Sequence, residues 1–410
     1  MKHMSVSLCI RVAGVGLMFI AHVLIARSLD IEAYGIFSYV VVAIPMVSQL
    51  VDVGFRTSAM RYITQYKNKL TLKRGFIIYS LKLSVLLGLV VAVGGFLIGQ
   101  TTEFTPALNY LLQNVLWLAG CYAILQVVTI ILRAENRLVI SQSLEQIGTP
   151  ALLIGAVVLS WWNPSWGDIY GFTVGYVLAI VVPMLLGLVL VLKHMPGSSS
   201  DDALPAREWV ANSIPMGVSS AAVALMTRLD ILILGVMVSP ALVAVYAVVH
   251  RIGNLCLFPF QAVGIVTAPH IATMCHEQDS KNLKAMLKHA TILSMVMSLI
   301  LLAAIVCFGK YILALFGPEY VDYHTLLICF SVIYMLRLNA WPMNQIPNIA
   351  NKQTVYMKVI IGVVAIMALL FPVAISMYGL YGALAVSGVG TLLFNVGLVY
   401  VLRQVPVLRG

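Results

Sequence analysis

Apolar runs long enough to cross a bilayer recur along nearly the whole chain and leave little sequence for anything else. About twenty apolar residues wound as a helix span a hydrocarbon layer roughly 30 Å thick. We place about twelve such spans, at 8–29, 34–57, 76–99, 107–132, 138–160, 169–192, 211–237, 241–267, 290–308, 322–345, 355–376 and 379–402. Only 10% of the residues are charged, against roughly 25% in a soluble domain. The expected fold class is therefore an all-α polytopic membrane protein without a soluble domain of useful size. The run 8–29 is long enough to span and no small-residue cleavage site follows it, so it is expected to remain as the first span. The six cysteines show no CxxC spacing, and neither a disulfide nor a metal site is expected.

Alternate loops differ in charge. One set holds Lys2; Arg61, Lys67, Lys69, Lys73 and Arg74; Arg133 and Arg137; Lys193 and Arg207; Lys281, Lys284 and Lys288; Lys352 and Lys358; Arg403 and Arg409. The other set holds only Arg27 and Lys310. Basic loops stay in the cytoplasm, so both termini are expected there. The net charge of +10 then reflects membrane orientation, and no nucleic-acid partner is expected. The hydrophilic stretch KHMPGSSSDDALPARE, rich in Pro, Gly and Ser, reads as a flexible linker. It divides the chain into an N-terminal six-helix bundle at 1–193, a cytoplasmic linker at 194–210 and a C-terminal six-helix bundle at 211–410. Displacing the chain so that Phe37 meets Tyr246 also brings Asp52 onto Gln261, Ala59 onto Ala268, Arg61 onto His270 and Thr64 onto Thr273. An even number of spans per half predicts parallel repeats about a pseudo-twofold axis along the membrane normal.

The stretch from Thr227 to Gly264 concentrates intramembrane polarity. Arg228 and Asp230 stand near the end of one apolar run, and His250 and Arg251 stand about ten residues into the next. That is roughly 15 Å deep at the helical rise per residue, near the middle of the layer. A charge at that depth costs several kcal/mol and must face protein, water or a ligand. Tyr246, His250, Asn254 and Gln261 share one helical face, which predicts the wall of a polar cavity. Ser38, Gln49, Asp52 and Arg56 form a similar face in the second span, where Asp52 and Arg56 are also spaced to pair along a helix.

Two segments carry a family resemblance. ARSLDIEAYGIFSY (Ala26 to Tyr39) is followed by LVDVGFRTSAMRY (Leu50 to Tyr62), and TRLDILILG with VYAVVHRIG after it is the matching piece of the second half. With these motifs the chain resembles the Wzx-type polysaccharide-unit flippases, in the superfamily that includes MATE exporters and lipid II flippases. It departs from that pattern at Ser239 to Ala244, where an acidic residue and a glycine are common, and in having about two spans fewer than the lipid II flippases. The resemblance implies two six-helix bundles arranged as a V around a central cavity that opens alternately to each side. The implied activity is movement of undecaprenyl-pyrophosphate-linked oligosaccharide from the cytoplasmic to the periplasmic leaflet of the bacterial inner membrane. Implied partners are that lipid-linked substrate, the membrane lipids, and the polymerase and glycosyltransferases of the same process, with the protein itself a monomer.

A pyrophosphate head group calls for cations, and arginine binds its oxygens bidentately. The candidates lining such a cavity are Arg251, Arg228, Arg11, His250, Asn254, Gln261, Arg337 and Lys82. Asp52 and Asp230 are the candidates for ion coupling, and Glu145 is a candidate partner for one of the cations. The sequence has no GxSxG, HExxH or Walker A motif, so neither an enzyme nor a cofactor is expected. The competing readings are a MATE-type drug or metabolite antiporter, which calls for an acidic cavity, and a polytopic polysaccharide polymerase or ligase, which calls for a long outer loop.

Overall fold

A computed structural model of the chain describes residues 2–102, 104–195, 205–277, 279–336, 343, 346–349 and 352–405. The described residues are helical, without a strand. The helices are α1 (Lys2–Ser28), α2 (Ile31–Val51), α3 (Phe55–Gln65), α4 (Leu70–Thr101), α5 (Pro106–Tyr110), α6 (Leu118–Ala134), α7 (Leu138–Gln142) and α8 (Thr149–Trp162). They continue as α9 (Ile169–Lys193), α10 (Ala206–Met237), α11 (Pro240–Gly253), α12 (Phe258–His276), α13 (Ser280–Ala314), α14 (His324–Met335) and α15 (Gln353–Leu402). Two π-helical turns, Leu111–Val115 and Ser143–Gly148, precede α6 and α8.

Among the described residues nine helices are long and apolar enough to cross a membrane, or ten when the bent pair Pro106–Val115 and Leu118–Ala134 counts as one span. The twelve expected spans are not reached by that count. The tenth expected span runs into residues 337–342, outside the described residues. The eleventh and twelfth form the single stretch α15, about twice the length a bilayer needs, interrupted at Gly379 with φ 57° and ψ −131°.

Polarity is inverted relative to a soluble helix. On α4 the buried face holds Ser80, Ser84, Gly88, Gly95 and Gly99, while Leu86, Leu89, Val90, Val93 and Leu97 are exposed. On α13 the buried stripe includes Ser294, Ser298 and Gly309, and Ile300 is exposed. Lipid offers Leu and Val as good a solvent as protein does, so helices associate through small residues that let backbones approach. A Cβ on Gly88 of α4 would lie 2.8 Å from the Gly120 Cα of α6. Acids are spent on helix starts: Asp30, Asp168 and Asp279 each accept a backbone N–H three residues on, from Ala33, Gly171 and Asn282. The bond from the Asn282 amide holds the Asp279 carboxyl below its ordinary range.

The chain forms two compact units: Met1–Ala224 with Ser239–Ala244, and Leu225–Val238 with Val245–Gly410. Most of the expected linker, at 196–204, lies outside the described residues. In the first unit α6 packs on α2, α3, α4 and α9. The glycine of the AYG motif, Gly35 on α2, sits directly on the Pro240 carbonyl, where any Cβ would overlap the oxygen. Gly35→Ala should therefore destabilise the first unit by about 1–3 kcal/mol through overpacking. Thermal unfolding of the purified protein checks this, and a Gly35→Ala protein as stable as wild type would contradict the close approach.

The α2–α3 junction departs from expectation. Asp52 caps the end of α2, Val53 has φ 50° and Gly54 has φ 84°. The helix stops there, so Asp52 and Arg56 are not neighbours on one helical face, and the expected ion pair is not formed. The Asp52 Oδ1 instead accepts the Gly54 N–H at 2.7 Å.

Candidate functional site

The second unit assembles a buried polar cluster from four helices. Asp230, on α10, is 4% exposed. Its Oδ2 accepts the Tyr246 hydroxyl of α11 at 2.9 Å and the Ser387 hydroxyl of α15 at 3.4 Å. Its Oδ1 accepts the Ile231 amide at 2.8 Å. A buried carboxylate survives only with such donors, because each replaces water that the site excludes.

One helical turn after Tyr246 stands His250, 2% exposed. The amide of Asn254 approaches its Nδ1 at 2.8 Å and the Arg228 guanidinium at 3.5 Å. Both groups donate, so Nδ1 accepts and the ring proton belongs on Nε2. Nε2 lies 3.0 Å from the Tyr334 hydroxyl of α14 and 3.4 Å from the Thr227 carbonyl. Phe330 packs against the ring, with centroids 5.3 Å apart. Gly253 makes room for this, since a Cβ there would come within 2.7 Å of the Phe330 ring.

The structure thus brings together Arg228, Asp230, Tyr246, His250 and Asn254. Arg251, half-buried, occupies the last turn of α11, where a cation complements the helix dipole. At Asn254–Leu257 the chain tightens into a 3-10 turn before α12 begins, so the polar stripe does not continue straight. Gln261 is half-buried on α12, beyond that turn. Arg11 is half-buried on α1 in the first unit, and Asp52 is buried at the α2–α3 junction. Lys82 is exposed on the face of α4 that also shows Val85, Leu86 and Leu89, where a long side chain reaches the interface by snorkelling. Arg337 lies outside the described residues.

Tyr334, Ser387 and Phe330 carried no signal in the sequence as members of this cluster. Nor did the pairing of Glu145. It lies on the π-helical turn before α8 and binds Arg133 of α6 at 2.6 Å, with Gln126 donating to its other oxygen at 3.3 Å. Arg133, read from the sequence as an inner-loop charge, is thus drawn into a partly buried pair.

The solved structures that resemble this chain share its fold across nearly the full length. The inward-facing form of a multidrug resistance MATE family transporter of the MOP superfamily is 17% identical, with a TM-score of 0.76 over 96% of this chain and 95% of that one. The outward-facing form of a multidrug resistance MATE family transporter is 18% identical, with a TM-score of 0.66 over 99% and 95%. A MOP superfamily transporter from Pyrococcus furiosus, described as having a binding pocket of reversed polarity, is 16% identical, with a TM-score of 0.66 over 99% and 95%. No curated protein matches the chain. Apolar helices of membrane length, packed through small residues in the MATE fold, define a multi-pass membrane protein. A family model described as polysaccharide biosynthesis protein matches residues 1–275, and the chain belongs to that family, the Wzx-type flippases.

Proposed function

We propose that this protein flips an undecaprenyl-pyrophosphate-linked oligosaccharide, an O-antigen or similar repeat unit, from the cytoplasmic to the periplasmic leaflet of the bacterial inner membrane by alternating access. Family membership carries this reading, because the match covers residues 1–275 and is to polysaccharide biosynthesis. The buried chemistry supports it. The second unit sets Arg228 against a histidine and hydrogen-bonding groups and carries Arg251 in the last turn of α11, which suits a phosphorylated sugar head group. Arg251, Arg228 and Gln261 are the proposed contacts there, with Arg11 in the first unit, while His250 and Asn254 hold the network that positions Arg228. Asp230 and Asp52 are the proposed ion-coupling acids. Both termini would lie in the cytoplasm, each six-helix bundle would form one half of the transporter, and the monomer would hand its product to a polymerase.

Proteoliposomes holding a fluorescent lipid-linked oligosaccharide test the proposal. Label protected in the inner leaflet should reach an added membrane-impermeant quencher faster than in protein-free vesicles. No acceleration, together with gradient-driven ethidium transport, would replace the flippase with the drug antiporter.

A further inference from the structure

We infer that the first unit carries a second anion-binding site, built on the α2–α3 junction and selective for a phosphate-class group. A cavity of about 550 Å³ opens there, lined by Gln49, Arg56, Thr57, Met60, Ser220 and Val223, among others. That volume is within the range of small-ligand pockets, roughly 300–1,000 Å³.

The polar lining is of one kind. Gln49 and Thr57 offer an amide and a hydroxyl, the Ser220 hydroxyl donates to the Gly217 carbonyl at 3.0 Å, and Arg56 is the charged group among the lining residues. The two ion pairs found among the described residues are Lys73–Glu135 and Arg133–Glu145. Arg56 belongs to neither and makes no hydrogen bond to another described residue. The nearby Asp52 carboxylate is 4% exposed and is bound to the Gly54 amide. A half-buried guanidinium without a carboxylate in ion-pair contact, facing a cavity with hydroxyl and amide donors, is arranged to take an external anion.

The backbone sets where these side chains stand. Arg56 and Thr57 stand in the first turn of α3, which starts at Phe55 and is eleven residues long. The amides at this helix start are already taken, Gly54 by the Asp52 carboxylate and Phe55, Thr57 and Ser58 by the Asp52 and Gly54 carbonyls, so the side chains of Arg56 and Thr57 are what the first turn offers to the cavity. The break at Asp52–Gly54 makes this possible. Gly54 and Gly217 are what bring α10 close, since a Cβ on Gly217 would lie 2.7 Å from the Gly54 nitrogen, and this places Ser220 on the cavity wall.

A phosphate-class anion reaches such a site from two sources: the pyrophosphate of a lipid-linked substrate, or the head group of an anionic phospholipid. The site itself stands on the geometry above, and only its link to transport rests on the proposed flippase reading. Binding of radiolabelled inorganic pyrophosphate to the purified full-length protein in phosphatidylcholine nanodiscs tests the first source. Native mass spectrometry of protein extracted from vesicles with and without phosphatidylglycerol tests the second. Arg56→Gln should weaken one of these interactions about tenfold, as loss of a charge-assisted contact does. Arg56→Lys should retain part of it, and Thr57→Val, which keeps the charge and removes a hydroxyl donor, should weaken it by a smaller factor. Wild-type thermal unfolding of Arg56→Gln confirms that the fold is intact. The inference is overturned if neither probe binds the wild-type protein, or if Arg56→Gln and wild type bind both probes equally. A protein that binds pyrophosphate through Arg56 but fails to flip the fluorescent lipid would instead overturn the proposed function.

Discussion

Replacing Trp209 by alanine should destabilise the protein by about 3–5 kcal/mol, the range for truncating a fully buried aromatic side chain. Trp209 is 0% exposed and stands in the first turn of α10, directly after the segment 196–204. Its indole N–H donates to the Tyr66 hydroxyl at 3.0 Å. Its ring meets Phe76 edge-on at 5.4 Å and Tyr79 at 5.8 Å. Phe55, Tyr62, Val127, Ile131 and Val191 complete a core that draws on α3, α4, α6 and α9. Removing the indole leaves a cavity that these aromatics cannot close, and it also strands the Tyr66 hydroxyl. The same core anchors α3, whose first turn carries the Arg56 cavity. Trp209→Phe separates the two contributions: it keeps most of the volume and loses only the hydrogen bond, about 1 kcal/mol. Thermal unfolding in detergent reads both. An alanine variant as stable as wild type, or a phenylalanine variant as damaged as alanine, would contradict this account of the core.

The sequence reveals the membrane fold because that fold rests on length and hydropathy, which a single chain displays. Apolar runs cannot be hidden, and the alternation of basic loops accompanies them. The helix breaks were not legible. At Asp52–Gly54 the apolar pattern continues across the junction, and nothing in the local composition beyond one glycine announces Val53 at positive φ. The same continuity concealed the 3-10 turn at Asn254–Leu257. Displacing the chain by the apparent repeat carries Asp52 onto Gln261, a residue inside α12, so the two breaks do not coincide under it.

The candidate site was half legible for a related reason. Tyr246, His250 and Asn254 lie on one turn-by-turn stripe, which helical periodicity exposes. Their partners come from elsewhere. Tyr334 and Ser387 reach the cluster from α14 and α15, and tertiary packing alone decides that meeting. Glu145 finds Arg133 for the same reason, and the π-helical turn shifts its register away from the one an ideal helix predicts.

Arg251→Ala should lower surface-polysaccharide export about ten- to a hundredfold while the protein still inserts at wild-type level. That factor corresponds to losing a charge-assisted contact worth about 1.5–3 kcal/mol. The position argues for a direct role. His250, its neighbour, is committed on both ring nitrogens to Asn254, Arg228, Tyr334 and Thr227. That network holds the last turn of α11 in place, and with it the backbone of Arg251. Arg251 is half-buried while His250 is 2% exposed, so the arginine keeps access that the histidine lacks. A cation at the end of α11 is also stabilised by the helix dipole, which offsets part of the cost of holding charge within a span. Arg251→Lys should recover only part of the export, because an ammonium keeps the charge and the dipole interaction but loses the planar fork that grips two phosphate oxygens. The lysine variant therefore distinguishes two roles. If Arg251 serves only the helix end, lysine restores export fully. If it grips the head group, export stays well below wild type. Undiminished polysaccharide in Arg251→Ala would remove the residue from the transport mechanism altogether.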